Sequence, residues 1–233
     1  MSTFALVHGA WLGSWCWDRL TPELEAMGHR VIAMDLPVDD SSATFDDYAD
    51  VVCAAVAGVG DDLILVGHSM GGQTVPLVAS RRSLRRLVYL CGVPPIPRRP
   101  FLEQMAEESD MLNPDYPKGL GEKDSQGRRS WIDRELSHFH LMGDCDEPTA
   151  SAVFARLRPQ STAPYRVPCS LPAYPVVDTA YVVCDQDGMV NPLWSRRIAH
   201  QWLGADLIEM PGSHAPFLSR PAELAAVLDR LSQ

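Results

Sequence analysis

Short apolar runs alternate with longer amphipathic segments along most of the chain. In the amphipathic segments apolar residues recur every three or four positions, which predicts helices with one buried face. Alternating strands and helices favour a mostly parallel sheet with helices on both faces, so the sequence predicts an α/β fold. The apolar runs predict buried strands at 4–7, 31–34, 63–66, 87–90, 179–184 and 207–210.

Residue patterns also predict where the helices begin and end. In the first helix Ser14 is the expected N-cap, and a buried stripe should follow it, formed by Trp17, Leu20, Leu24 and Met27. Later helices are expected at 44–59, from the glycines at 71 and 72 to Ser80, at 192–203 and at 221–231.

The alternating pattern stops between residues 94 and 174. This stretch begins and ends with clusters of prolines, contains helical pieces, and has no strong pattern of a buried strand. We therefore predict a core made of 1–93 and 175–233, with 94–174 inserted as a helical cap. Ligands of open α/β sheets bind at the carboxyl ends of the strands, so the cap is expected to cover the pocket.

Composition and charge narrow the class of protein. The chain has 233 residues, of which 46% are hydrophobic and 21% are charged, values that suit one large α/β domain. A formal net charge of −10 argues against nucleic acid or an anionic membrane as a partner. No apolar stretch approaches the length that crosses a bilayer, and the N-terminus lacks the pattern of a signal peptide. We expect a cytoplasmic monomer or homodimer.

Six cysteines are scattered along the chain without paired spacing. In a reducing compartment such cysteines behave as small buried hydrophobes. The spacing therefore predicts neither disulfides nor a metal site, and nothing in the sequence calls for a cofactor.

The sequence Gly67-His68-Ser69-Met70-Gly71 directly follows the apolar run 63–66. A serine between glycines, after a strand and before a helix, is the pattern of a nucleophile elbow. The glycines allow the tight turn, and the turn exposes the serine hydroxyl at the N-terminus of a helix, where negative charge is favoured. Ser69 is therefore the predicted nucleophile.

A serine nucleophile needs a base, and His214 is the strongest candidate. It lies in a glycine-containing loop directly after the last predicted strand, from which an imidazole can reach back over the elbow. His68 lies inside the elbow, and His29 and His200 lie near helix ends, so these three are poorer candidates.

The acid that orients the base is expected in the turn after the strand 179–184. Two aspartates compete there, Asp185 and Asp187. Asp187 lies three residues beyond the strand end, where a carboxylate can reach the histidine, and is favoured. Asp185 is better placed to accept hydrogen bonds from backbone amides of the turn.

The oxyanion of an acyl-transfer reaction needs two backbone N–H donors. One is expected from Met70, after the nucleophile, and the other from Ala10 in the loop after the first strand. Gly9 should let that loop approach the substrate closely, and Trp11 is a candidate to line the pocket. His8 is expected to shape the loop through hydrogen bonds rather than to act chemically.

Five segments together carry a resemblance to a known family. They are Leu6-Val7-His8-Gly9-Ala10-Trp11, Gly13-Ser14-Trp15-Cys16-Trp17, Gly67-His68-Ser69-Met70-Gly71-Gly72, Cys184-Asp185-Gln186-Asp187 and Gly212-Ser213-His214. In these segments the chain resembles the α/β-hydrolase superfamily, and within it the branch of plant methyl esterases and hydroxynitrile lyases. The resemblance covers about 3–93 and 176–232 and fades across the cap. It implies an α/β-hydrolase fold, the triad Ser69, Asp187 and His214, and oxyanion donors Ala10 and Met70.

Two departures from this branch bear on the reaction. In the hydroxynitrile lyases that the chain resembles, a threonine stands at the position of Gly9 and a lysine at the position of Ala215. The threonine hydroxyl holds the hydroxyl of the cyanohydrin, and the lysine ammonium stabilises the departing cyanide. Neither group is present here, so ester hydrolysis through an acyl-serine is favoured over cyanohydrin cleavage.

The sequence thus predicts a serine hydrolase that cleaves a small or medium carboxylic ester, such as a methyl ester, an aryl ester or a lactone. Two alternatives stay open. The first is a ligand-binding receptor on the same fold, and the second is a C–C bond hydrolase or acyltransferase that uses the same triad.

Overall fold

The computed structural model describes residues 1–233. Its largest element is a six-stranded sheet in the order β2-β1-β3-β4-β7-β8, in which all neighbouring strands are parallel. The short strands β5 and β6 form a separate antiparallel pair. The strands are β1 Thr3–Val7, β2 Arg30–Ala33, β3 Leu63–His68, β4 Arg86–Leu90, β5 Arg128–Arg129, β6 Gln160–Ser161, β7 Thr179–Cys184 and β8 Asp206–Met210.

Helices lie between the strands in the order predicted for an α/β fold, which confirms the predicted fold class. Every residue of β1 and β3 is buried, as expected for central strands of a parallel sheet that is covered on both faces. The helices are α1 Leu20–Ala26, α2 Phe45–Ala55, α3 Gly71–Ala79, α4 Phe101–Glu107, α5 Arg134–Met142, α6 Glu147–Phe154, α7 Pro192–Gln201, α8 Pro216–Ser219 and α9 Pro221–Leu231.

The strand register brings four loops to one edge of the sheet. Val7 pairs with Gly67, at the ends of β1 and β3. His68 pairs with Leu90 at the ends of β3 and β4, and Cys184 pairs with Met210 at the ends of β7 and β8. The loops that follow these strands therefore meet at their carboxyl ends, where open α/β sheets bind ligands.

The first helix begins later in the structure than the sequence predicted. Ser14 does not cap it: residues Ser14–Trp17 form a 3-10 turn whose N-cap is Gly13, and α1 begins only at Leu20. The backbone N–H of Ser14 instead donates to Asp35 at 2.7 Å, which ties this turn to the loop after β2. Met27 lies beyond the end of α1 and is 43% exposed, so it does not belong to the buried stripe.

Short helices separated by longer irregular stretches make up the segment between β4 and β7. It contains α4, α5 and α6, together with two 3-10 turns at Tyr116–Gly119 and Pro164–Arg166. The pairing of β5 with β6 within it was not predicted, because strands of two residues leave no hydropathy period to detect. None of the nine helices is long and apolar enough to cross a membrane.

Candidate active site

Ser69 stands at a strained turn between β3 and α3. Its φ is +52°, in the left-handed region that residues with a Cβ rarely adopt. The Ser69 N–H donates to the carbonyl of Leu90, and the Ser69 carbonyl accepts from the N–H groups of Gly72 and Val93. These bonds hold the turn from both sides. The backbone conformation is that of a nucleophile elbow.

Close packing around the turn explains its glycines. A Cβ placed on Gly67 would lie 2.7 Å from both methyl carbons of Val75, and one on Gly71 would lie 2.8 Å from the Val7 carbonyl oxygen. Both distances are shorter than real Cβ contacts. Any larger residue would therefore push the elbow away from β1 or from its own helix.

Asp187 and His214 form a buried hydrogen-bonded pair. Nδ1 of His214 donates to Oδ2 of Asp187 at 2.8 Å, and the two side chains are 1% and 3% exposed. The second carboxylate oxygen, Oδ1, accepts from the N–H groups of Met189 and Val190 at 2.8 and 2.9 Å. With both oxygens occupied, the carboxylate has a fixed orientation and fixes the imidazole in turn.

Asp185, the second aspartate of this turn, accepts a hydrogen bond from a backbone amide, as the sequence predicted. Oδ1 of Asp185 accepts from the backbone N–H of Gly212 at 3.2 Å, and the residue is exposed. Gly212 has a φ of +128°, a conformation that side chains disfavour, and it begins the loop that carries His214. Asp185 therefore supports the loop, while Asp187 contacts the imidazole.

The electrostatics of the pair suit a base that becomes charged during a reaction. Burial lowers the pKa of His214, but the charge of Asp187 and its hydrogen bond raise it by more, so the net pKa lies above the ordinary value. Nε2 of His214 makes no hydrogen bond within the protein, and neither does the Ser69 hydroxyl. Both atoms are free for substrate, and catalytic hydrogen bonds often tighten only when substrate is bound.

Two other buried histidines hold the loops of the site. His68 donates from Nε2 to the backbone carbonyl of His214 at 2.9 Å. His8 donates from Nδ1 to the carbonyl of Gly9 at 2.8 Å, and its Nε2 accepts from the N–H of Leu36 at 3.0 Å. Burial lowers the pKa of His8 to about 4 and that of His68 well below its ordinary value. Both therefore stay neutral and act through hydrogen bonds.

The predicted oxyanion donors lie on the same cavity wall as the nucleophile. Ala10, Ser69 and Met70 all line a narrow inner chamber of about 40 Å³. The backbone N–H groups of Ala10 and Met70 donate to no acceptor in the protein, whereas that of Trp11 donates to Oε1 of Gln160. Two N–H groups without partners beside a serine can receive a negatively charged oxygen.

Gly9 stands behind the nucleophile and does not line the chamber. A Cβ at this position would lie 2.8 Å from the Cβ of Ser69 and 3.0 Å from Nδ1 of His68. The sequence predicted that Gly9 allows a close approach to substrate. In the structure its close approach is to Ser69 itself, and the residue that follows it, Ala10, lines the same chamber as Ser69.

A second, outer chamber of about 180 Å³ adjoins the inner one. Trp11 lines both, as predicted for a pocket residue, and its indole N–H donates to the Arg129 carbonyl at 3.1 Å. The inner chamber is almost wholly apolar, and most of its other lining residues come from the inserted segment or the loops after β4 and β7: Val93, Phe101, Met105, Leu112, Tyr116, Tyr165 and Met189.

Cys91 adds one donor beside the pair that the sequence did not point to. Its sulfur and the donor atoms of Asp187 and His214 all lie within 4.8 Å of one another, the kind of grouping that can hold a metal. However, Asp187 and His214 already bond to each other, and the second oxygen of Asp187 is held by two amides. Cys91 is 1% exposed, and a hydrogen bond with the free thiol of Cys184, together with burial, raises the pKa of its thiol well above the ordinary value. The grouping suits proton chemistry better than metal binding.

Comparison with known proteins agrees with this architecture. Residues 4–227 match the family described as alpha/beta hydrolase. The chain belongs to this family. Methylesterase 9 of Arabidopsis thaliana is 26% identical over 254 residues, which cover 99% of this chain and 97% of that protein. Polyneuridine aldehyde esterase of Rauvolfia serpentina is also 26% identical, over 97% of this chain and 93% of its own. The predicted resemblance to the alpha/beta hydrolases and their plant methyl esterase branch is thus confirmed.

Solved structures of alpha/beta hydrolases have the same fold over their whole length. The crystal structure of polyneuridine aldehyde esterase superposes with a TM-score of 0.86, at 23% identity and complete coverage of both chains. A pyrethroid hydrolase from Sphingobium faniae gives a TM-score of 0.82 at 24% identity, covering 99% of this chain and 97% of its own.

Proposed function

We propose that this alpha/beta hydrolase is a serine esterase that cleaves small or medium carboxylic esters through an acyl-serine intermediate. One observation carries the proposal: Ser69 lies in a strained turn and shares a chamber with two N–H groups that lack acceptors. The likeness to plant esterases supports the reaction class, and the names of the methylesterases make a methyl ester the first substrate to test.

In the proposed reaction the Ser69 hydroxyl attacks the ester carbonyl while Nε2 of His214 takes its proton. Asp187 stabilises the imidazolium that forms, in keeping with the direction in which it raises the histidine pKa. The N–H groups of Ala10 and Met70 bind the oxyanion. His214 then protonates the leaving alcohol and activates the water that releases the acid.

The test is Ser69→Ala, assayed with a p-nitrophenyl ester and with methyl esters. We expect kcat to fall by at least about 10³-fold, because the nucleophile is lost while the fold persists. Ser80→Ala is a matched control, since Ser80 is an exposed serine at the other end of α3. It should leave kcat unchanged. Retained turnover in Ser69→Ala would overturn the assignment.

A fluorophosphonate separates the esterase from the receptor alternative. The reagent should label the wild-type chain at Ser69 and leave Ser69→Ala unlabelled. A wild-type chain that resists labelling and hydrolyses no ester would be a binding protein on a hydrolase fold.

A further inference from the structure

The charges around the outer chamber stand out against the rest of the molecule. The chain has a formal net charge of −10, yet the outer chamber is lined by three cationic side chains, Lys123, Arg129 and Arg166, and by no carboxylate. None of the three forms a salt bridge, although most arginines of this chain pair with an acid. The outer chamber is thus lined by positive charge that no acid of the chain neutralises through a salt bridge.

The three cations differ in how they are held. Arg129 is half-buried, and its guanidinium donates to the backbone carbonyls of Gly121, Pro117 and Leu120. These bonds occupy Nε and one terminal nitrogen and leave the other, Nη1, without a partner. Lys123 and Arg166 are exposed and make no hydrogen bond or salt bridge to the protein through their side chains. One hydrogen-bonded cation and two without partners in the protein therefore line the same chamber.

The outer chamber shares part of its wall with the inner chamber, which Ser69 lines. Trp11, Met105, Tyr116 and Tyr165 line both chambers. A molecule whose ester group lies at Ser69 would thus pass these apolar side chains and then reach the cations. Guanidinium groups match carboxylates in geometry, so Arg129 and Arg166 are suited to bind a carboxylate there.

We propose that the outer chamber binds an anionic group at the far end of the ester substrate. The inference rests on the proposed esterase function and defines its substrate class further: an ester with an apolar middle portion and a remote anion. The negative net charge of the chain opposes the approach of anions in general, so a preference for such esters has to come from these local cations.

The experiment uses two series of esters of increasing chain length. One carries a carboxylate at the end of the acyl chain and the other at the end of the alcohol chain, and each ester is paired with its neutral carboxamide isostere. Hydrolysis is followed by proton release. In at least one series we expect a chain length at which the carboxylate ester has a kcat/KM about two to five times that of its isostere, the size of effect expected for exposed ion pairs.

Lys123→Gln combined with Arg166→Gln should remove at least half of the excess of this ratio over one, the rest being due to Arg129, which still lines the chamber. In the wild type, 0.5 M salt should also lower the ratio. Arg129 is left in place because it supports the backbone. The matched control is Arg30→Gln with Arg230→Gln: both residues are exposed, have no salt bridge, and change the net charge equally. Arg30 is the first residue of β2 and lies at the amino ends of the strands, whereas the site lies at their carboxyl ends. The control should therefore keep the wild-type ratio.

A ratio at or below one at every length in both series, or a full wild-type ratio in the variant that lacks both Lys123 and Arg166, overturns the inference. Hydrolysis of the neutral isosteres separates this result from failure of the proposed function. If Ser69-dependent turnover of the neutral esters persists while the ratio stays at one, only the anion site is refuted. If no ester is hydrolysed, the esterase proposal itself fails.

Discussion

Replacing Asp187 with asparagine tests the proposed base in a way that the structure makes specific. Oδ1 of Asp187 accepts from two backbone N–H groups, those of Met189 and Val190. The asparagine must keep its carbonyl oxygen there, because an amide NH₂ would face two donors. Its NH₂ group then faces Nδ1 of His214 and forces that nitrogen to accept. The imidazole proton moves to Nε2, and the base can no longer take a proton from Ser69.

The expected loss in kcat is about 10⁴-fold, the size of effect found where an asparagine holds a triad histidine in the wrong tautomer. This corresponds to about 5 kcal/mol of transition-state stabilisation. The pH profile should also change. Asp187 raises the pKa of His214, so removing its charge lowers that pKa, and the rise of residual kcat/KM with pH should move to lower pH.

The assay is kcat and kcat/KM between pH 5 and 10 with a p-nitrophenyl ester, alongside thermal unfolding to confirm that the variant folds. Asp185→Asn is the matched control, because an asparagine carbonyl can still accept from the N–H of Gly212. A Asp187→Asn variant within tenfold of the wild type would refute the reasoning. Equal losses in the two variants would also refute it.

Two further substitutions test the loops that hold the site. Gly9→Ala places a Cβ 2.8 Å from that of Ser69, and we expect a loss of about 1–3 kcal/mol in the free energy of unfolding with lower kcat. Gly58→Ala is the control, because a Cβ at that position meets nothing within 4 Å, and it should change neither the free energy of unfolding nor kcat. Urea unfolding and ester kinetics compare the two variants. His68→Phe keeps a ring but removes the donor to the His214 carbonyl. It should cost about 1–3 kcal/mol of stability and lower kcat more than it changes KM; a wild-type kcat would contradict the positioning role.

Much of the catalytic edge could be predicted because parallel strands end at one place. Once the strands before Ser69, Asp187 and His214 were located by their apolar runs, their following loops had to meet. The choice between Asp185 and Asp187 followed from distance beyond the strand end. The structure places Asp187 on the imidazole and Asp185 on a backbone N–H.

Other features leave no local pattern in the sequence. The hydrogen bond from His68 to the His214 carbonyl joins residues 146 positions apart, and no periodicity predicts it. Helix α2 ends at Ala55 rather than near residue 59, and just beyond that end the carbonyls of Val56 and Val59 accept hydrogen bonds from the side chain of Arg82. The short helix α8 was also missed, since four residues carry no hydropathy period.

The position of Gly9 also explains why hydrolysis is favoured over the lyase reaction of the related branch. A threonine there would need its Cβ where the structure leaves only 2.8 Å to the Cβ of Ser69, so the loop would have to move. That movement would shift the N–H of Ala10, which follows directly and lines the inner chamber. The residue after His214 is a buried alanine without charge, so no group there can hold a departing anion. The close approach of Gly9 to Ser69 thus leaves no room for the threonine, and it leaves Ala10, the proposed oxyanion donor, in the chamber that Ser69 lines.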